Sequence, residues 1–242
     1  MKIVGIIPAR FESSRFPGKP LIDLKGKTMI QRVYEGASKS TIITEVIVAT
    51  DDLRIFDEVK RFGGKVELTN PNHSTGSDRC GEVAEGIDAD VIINIQGDEP
   101  LIDFRQLDQL VTVFSDKSVQ IATLGIKGVS TEDQNNPNRV KIVLNEKQDA
   151  LYFSRSPLPN SANAKQEALA NFDFYRHIGV YAYRKDTLLE LVNLQKTELE
   201  KIESLEQLRW LFYDFNIRVV TTDIETPNID VPEDVQKVLS LL

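Results

Sequence analysis

The chain has 242 residues, of which 41% are apolar and 27% charged, and it carries a formal net charge of −8. That length suits one domain, or one domain with a sizeable insertion, and the composition is ordinary for a foldable globular chain. The acidic balance excludes a general nucleic-acid binder, because no basic excess is available for a phosphate backbone.

Cys80 is the only cysteine, which rules out an internal disulfide and a multi-cysteine zinc site. With no histidine beside it, Cys80 reads as a small helix residue rather than a nucleophile. The apolar run Ile3–Ile7 is too short for the apolar region of a signal peptide. No stretch approaches the length of a membrane span, so no membrane association and a cytoplasmic location are expected.

Apolar runs bounded by turn signals alternate with helical periodicity through the first half. Lys2–Pro8 predicts a buried strand, and Met29–Ser38 a helix with Ile30, Val33, Tyr34 and Ala37 on one side. Strands over Glu45–Thr50 and Lys65–Leu68 bracket a helix over Leu53–Phe62. A helix over Ser77–Ile87 precedes a strand over Val91–Ile95 and a helix over Phe104–Phe114. Short continuous apolar strands separated by helices mean a mostly parallel sheet covered on both faces. The second half is less regular, with strands over Ile121–Ile126, Val140–Leu144, His177–Tyr183 and Ile217–Thr221. Helices are predicted over Leu188–Asn193 and Leu205–Tyr213, and a closing helix from Pro232 to Leu241. Residues 128–138 and 155–174 are rich in Asn, Ser, Pro and charge and read as surface loops. The fold class is α/β, one domain over 1–242 with an antiparallel, irregular elaboration around 125–184.

The stretch "IIPARFESSRFPGKPL" at 6–21 places Arg10, Arg15 and Lys19 in one loop after the first strand. In open α/β sheets, ligands sit beyond the carboxyl ends of the strands, where this loop must lie. Arginines fork onto phosphate oxygens and a lysine acts as a point charge, so an anionic ligand is expected. Gly26-Lys27-Thr28 is not a P-loop, since Leu21 stands where that motif needs glycine. No Gly-x-Gly-x-x-Gly follows a predicted strand, so a nicotinamide-dependent oxidoreductase is disfavoured.

"INIQGDEPLI" at 93–102 puts Asp98 and Glu99 in a turn just after the Val91–Ile95 strand, on the same sheet edge as the cations. Carboxylates beside a phosphate ligand call for a divalent ion between them, Mg²⁺ being the usual oxygen-ligated choice. A charged β-turn is the plainer alternative. "IDVPED" at 229–234 is a second acidic element. There Glu233 and Asp234 suit the positive end of a helix dipole, whereas Asp230 precedes the cap and is open to a ligand role.

The whole chain resembles the 3-deoxy-manno-octulosonate cytidylyltransferases, the CMP-Kdo synthetases of lipopolysaccharide biosynthesis. The likeness rests on the two stretches above, "ATDD" at 49–52, "HSTGSDR" at 73–79, "ALYFSRSPLP" at 150–159, "RHIGVYAYR" at 176–184, "ESLEQLRWL" at 203–211 and "IDVPEDV" at 229–235. The resemblance implies a Rossmann-like nucleotide-diphospho-sugar transferase domain, usually a homodimer, joining CTP to Kdo with release of pyrophosphate. Arg10, Arg15 and Lys19 would bind the CTP phosphates, with Ser74, Thr75, Gly76 and Ser77 near the cytidine. Lys19, Arg15 and Asp98 would carry catalysis, and Asp98 and Asp230 would hold Mg²⁺. Arg79, Gln96, Arg155, His177, Tyr181, Glu206 and Gln207 would line the sugar-acid pocket.

Two departures stand out: Val231 replaces a usual threonine, and Thr75-Gly76-Ser77 replaces the usual Ser-Gly-Thr. The first loses a hydroxyl beside Asp230 and touches a helix cap more than the metal site; the second keeps both hydroxyls. Two rival readings remain, a cytidylyltransferase for a related acidic sugar (8-amino-Kdo or a sialic acid) and a catalytically silent nucleotide binder. Intact Asp98, Asp230 and Lys19 argue against the silent binder.

Overall fold

A computed structural model of the chain describes residues 1–12 and 16–242. Ser13, Ser14 and Arg15 lie outside the described residues, and with them the expectation that Arg15 binds phosphate. In chain order the elements are β1 (Ile3–Ala9), α1 (Met29–Ala37), β2 (Glu45–Thr50), α2 (Leu53–Arg61), β3 (Lys65–Leu68), α3 (Gly76–Gly86), β4 (Val91–Asn94) and α4 (Phe104–Thr112). There follow β5 (Ile121–Lys127), α5 (Thr131–Asn135), β6 (Lys141–Leu144), β7 (Ala150–Ser154), α6 (Gln166–Ala170) and β8 (Tyr175–Arg184). The chain closes through α7 (Lys185–Leu191), α8 (Glu198–Glu203), α9 (Gln207–Phe212), β9 (Ile217–Thr221) and α10 (Asp234–Leu241).

These elements divide into two compact units, one of Met1–Asp108, Ala182–Val192 and Thr226–Leu242, the other of Gln109–Tyr181 and Asn193–Glu225. The second unit thus takes in more chain than the elaboration expected around 125–184.

In the first unit, β1 to β4 pair in parallel in the order β3-β2-β1-β4. Their registers set Ile6 beside Ile47 and Asn94, and Val48 beside Val66. Both faces are covered, which is why β1, β2 and β4 read as unbroken apolar runs: Val4, Ile6, Ile7, Val48, Ile92 and Ile93 have no exposed surface. Each such side chain contributes roughly 1.5–3 kcal/mol relative to exposure. The helices start where side chains satisfy their first amides. Thr28 accepts from Gln31 N ahead of α1, and Asp52 from Arg54 N ahead of α2. Thr75 and Asp78 form a reciprocal capping box at α3.

That use of Thr28 explains the P-loop lookalike. Gly26 sits in a turn at φ +81°, its N–H donating to Asp23, and Thr28 is spent as a helix cap. Cys80 is fully buried on α3, as its reading as a helix residue required.

In the second unit, β5 and β9 pair in parallel, while β6 runs antiparallel to β7 and β8. The antiparallel elaboration is therefore real. The predicted loops at 128–138 and 155–174 each contain a five-residue helix, α5 and α6. So short a helix completes little more than one turn, too little for periodicity to register. The helix predicted over Leu188–Asn193 starts earlier, at Lys185, directly off β8. The closing helix starts at Asp234 rather than Pro232, because Asp234 Oδ2 takes the N–H groups of Asp230 and Val231 at 2.9 and 3.0 Å. Those two amides are held in a turn ahead of the helix by a carboxylate from within α10. No helix among the described residues is long and apolar enough to cross a membrane.

Candidate active site

The loop after β1 is shaped by Gly18. Its φ of +73°, in the left-handed region that favours glycine, turns the chain into a single 3₁₀ turn over Lys19–Leu21. The Phe11 ring lies where a Cβ at Gly18 would stand, 3.1 Å away. The turn brings Lys19 Nζ to 3.0 Å from Asp98 Oδ2 and 2.8 Å from the Ile229 carbonyl. Three sequence-distant segments, those of Lys19, Asp98 and Asp230, thereby meet at the carboxyl edge of β1 and β4. The backbone seals the arrangement, with Ile229 N–H donating to the Asp98 carbonyl at 2.9 Å. Ile229 itself is enclosed with Leu24, Met29 and Val238. Asp230 Oδ2 accepts from Asn228 Nδ2 at 3.0 Å.

A cavity of about 430 Å³ opens on this edge, lined among others by Pro8, Arg10, Lys19, Gln96, Gly97 and Asp98. Its floor is close-built: a Cβ at Gly97 would come within 3.1 Å of the Pro8 carbonyl. A second cavity, of about 460 Å³, lies at the amino ends of the same strands beside Lys2, Glu45 and Lys65. Ligands of open α/β sheets bind at the carboxyl ends, and Lys65 and Glu45 already pair with each other, so the site is the first cavity.

The loop 73–77 is held against that edge. Arg10 Nη2 donates to the His73 carbonyl. Asp78 Oδ2 takes the Ser74 N–H and hydroxyl at 3.1 and 2.9 Å and the Thr75 N–H at 2.9 Å. Burial pushes the Asp78 carboxyl up, but these hydrogen bonds outweigh it and hold the group below its usual range. Gly76 abuts the end of β1, where a Cβ would lie 3.1 Å from Pro8 Cγ, and Ser77 is buried.

Glu99, beside Asp98, is 7% exposed and accepts from the Thr226 hydroxyl at 3.0 Å. Burial, and then the Asp98 charge, push its carboxyl up to about 7. The sequence offered Glu99 with Asp98 as a carboxylate of the ligand edge or of a charged turn, whereas Thr226, in an irregular segment, carried no signal at all.

The expected sugar-acid residues divide. Gln96 lines the cavity of the first unit. Arg79 does not join it: with no exposed surface, it pairs with Asp51 at 3.1 Å and donates to the Thr69 hydroxyl. An arginine on the inward face of α3 is closed off by the sheet it packs on, so Arg79 ties the carboxyl ends of β2 and β3 instead of presenting charge to a ligand.

Arg155, His177, Tyr181, Glu206 and Gln207 all lie in the second unit. Arg155 is placed by its surroundings: Nε donates to the Glu203 carbonyl at 2.9 Å and Nη1 to the Pro137 carbonyl at 3.1 Å. The enclosed Lys141 reinforces this, its Nζ donating to the carbonyls of Arg155, Arg139 and Asn136 at 2.5, 2.6 and 2.9 Å. On β8, the His177 and Tyr181 rings lie 5.2 Å apart, and Tyr181 meets Trp210 of α9 edge-on at 5.0 Å. His177 Nε2 lies 2.9 Å from the Thr123 hydroxyl, which donates to the Val180 carbonyl, so the ring nitrogen is the donor. Burial and then the Arg176 charge lower the imidazole to about 3, leaving it neutral near pH 7. Glu206 Oε1 lies 3.4 Å from Arg209, while the Nε2 of buried Gln207 has no hydrogen-bond partner among the described residues.

Oxygens of Asp98 and Ile229 converge on one cationic group, the Lys19 ammonium, and Asp230 follows Ile229 directly. Hard oxygen donors of this kind fit Mg²⁺. No cluster of three or more His, Cys, Asp or Glu among the described residues could hold a metal. A site of two carboxylates leaves the remaining positions to water and phosphate oxygens, the usual arrangement for this ion.

Residues 4–217 match the protein family described as cytidylyltransferase. A 3-deoxy-manno-octulosonate cytidylyltransferase of Geobacter metallireducens is 48% identical, over 100% of this chain and 98% of its own. The enzyme of the same name from Parabacteroides distasonis is 49% identical, again over 100% and 98%. Among solved structures, a CMP:2-keto-3-deoxy-manno-octonic acid synthetase complexed with CTP superposes with a TM-score of 0.93 at 43% identity, covering 100% of this chain and 98% of that one. A 4-diphosphocytidyl-2C-methyl-D-erythritol synthase from Anaerococcus prevotii shares the fold alone, with a TM-score of 0.65 at 13% identity over 99% and 97% of the two chains. The chain belongs to the cytidylyltransferase family, and within it to the 3-deoxy-manno-octulosonate cytidylyltransferases.

Proposed function

We propose that the chain activates Kdo with CTP, giving CMP-Kdo and pyrophosphate for lipopolysaccharide biosynthesis. The observation that carries the reading is the convergence of Arg10, Lys19, Gln96 and Asp98 on one cavity at the carboxyl edge of β1 and β4. The anomeric hydroxyl of Kdo attacks the α-phosphorus of CTP, and the bond to the β-phosphate oxygen breaks. Transfer of this kind asks the protein to position the reactants and to meet developing charge.

Arg10 and Lys19 neutralise the phosphates, and Lys19 is placed to follow the charge onto pyrophosphate. Arg15 is assigned with them by the family resemblance. Ser74, Thr75, Gly76 and Ser77 border the nucleoside. Asp98 and Asp230 hold Mg²⁺, which screens the triphosphate charge when bound. Arg155 pairs with the sugar carboxylate, and the neutral His177 and the Tyr181 hydroxyl hydrogen-bond its oxygens. The Gln207 amide nitrogen, buried without a partner among the described residues, is a donor that a sugar oxygen would satisfy. A cytoplasmic location belongs to the same reading. A homodimer is proposed as well: Leu199, Ile202, Phe212 and Tyr213 expose large apolar surface on and beside α8 and α9, and light scattering would report the state.

The test is pyrophosphate release with Mg²⁺, pairing CTP, UTP, ATP and GTP each with Kdo, 8-amino-Kdo and a sialic acid. Release with CTP and Kdo alone is expected, and release with no pair would refute the reading. Asp98→Asn should abolish Mg²⁺-dependent release while the fold survives; wild-type rates in that variant would remove Asp98 from the metal site.

A further inference from the structure

Residues 226–230, which deliver Asp230 to the site, form neither helix nor strand. Among the contacts that place them are the enclosed Ile229 side chain, the Ile229 N–H on the Asp98 carbonyl, the Ile229 carbonyl on Lys19 Nζ, the Asp230 N–H on Asp234 Oδ2, and the Thr226 hydroxyl on Glu99 Oε2 at 3.0 Å. Thr226 stands four residues before Asp230, and Glu99 directly follows Asp98. The hydrogen bond between them therefore joins the two carboxylate-bearing segments, which Lys19 also joins through Asp98 and the Ile229 carbonyl. A buried carboxyl is a costly way to fill space, and an apolar residue of similar volume would do so at less expense. What the apolar residue lacks is a directional acceptor that fixes Thr226.

We propose that Glu99 and Thr226 are positioning residues whose hydrogen bond sets the spacing between Asp98 and Asp230 for a divalent cation. Glu99 supports the site and does not ligate. The inference rests on the metal reading of Asp98 and Asp230 given above, and its test separates the two.

The full chain is titrated with Mn²⁺ in the presence of CTP and without sugar acid, following water-proton relaxation enhancement, so that no turnover is required. Thr226→Val should weaken Mn²⁺ binding roughly tenfold, the size of loss seen when an outer partner of a metal-binding group is removed. CTP binding without metal should stay unchanged in the same variant. Thr226→Ser restores the hydroxyl and should return to within about twofold of wild type, as should Glu99→Gln, which keeps an acceptor. Should Thr226→Val fold poorly, Thr226→Ala removes the same donor with less bulk and should show the same loss.

Wild-type Mn²⁺ affinity in Thr226→Val and Thr226→Ala, or a Thr226→Ser variant as weak as they are, would overturn the proposal. So would a Glu99→Gln variant as damaged as Asp98→Asn, since Glu99 would then be a ligand. If instead Asp98→Asn binds Mn²⁺ as wild type does, the metal reading itself fails and the positioning role falls with it.

Discussion

Replacing His177 with glutamine should remove about 2 kcal/mol of the stability that the chain loses between roughly pH 7.5 and pH 5. The imidazole is lowered from 6.5 to about 3, first by burial and then by the Arg176 guanidinium. In the unfolded chain the ring takes up a proton as pH falls through about 6.5, whereas in the fold it waits until about 3. Stability contributed by the neutral ring is therefore complete above the unfolded value and is lost as pH falls from there toward 3. At about pH 5, the unfolded ring is some 1.5 units below its midpoint, which at 1.36 kcal/mol per unit gives about 2 kcal/mol. That figure hardly changes for any folded value below about 4. The ring is faced by the Thr123 hydroxyl, by the Phe153 and Tyr181 rings and by the Arg176 charge. Urea unfolding of wild type and His177→Gln across the range is the assay, the variant showing the shallower loss. Parallel curves would refute the reasoning and would mean that the folded ring titrates like a solvated one. The same neutrality bears on the proposed role, in which His177 would meet the sugar acid as a hydrogen-bonding group and not as a counter-ion.

Arg79→Met should cost about 3–5 kcal/mol in urea unfolding, since it leaves the Asp51 carboxylate without its buried partner, while the KM for the sugar acid holds steady. A raised sugar KM at full stability would reverse that assignment. In the second unit, Glu200→Ala strands Arg209, which is 2% exposed and bonded to both carboxylate oxygens at 2.8 and 2.9 Å. A loss of about 3–5 kcal/mol is expected there too, read by the same assay. Lys19→Ala should lower kcat/KM for CTP roughly a hundredfold with the melting temperature nearly unchanged, and an equal loss in both would mark a structural lysine.

The parallel half of the fold was legible because β1, β2 and β4 are buried on both faces, and their apolar runs leave no competing reading. The phosphate edge was legible for a related reason: a parallel sheet sends the ends of β1 and β4 to the same side, so Arg10, Lys19 and Asp98 could be brought together before any coordinates. Arg79 shows where that logic stops. Its place in "HSTGSDR" suggested a ligand contact, but its direction follows from how α3 packs, and that depends on residues far along the chain. The pairing of Thr226 with Glu99 was invisible for the same cause, being a hydrogen bond between an irregular segment and a turn. The helix α8 was overlooked although Thr197 and Glu200 spell a capping box, a signal that six residues are too few to reinforce with periodicity.

The enclosure of Cys80 gives the chain a reporter of its own. Because this single thiol has no exposed surface on α3, an alkylating reagent added to the native protein can reach it only when that helix opens. Labelling rates with and without CTP would then read how far the nucleotide suppresses opening of that helix, without a dye or a substitution. A thiol that reacted at the speed of a free cysteine would mean that α3 opens far more often than its packing allows.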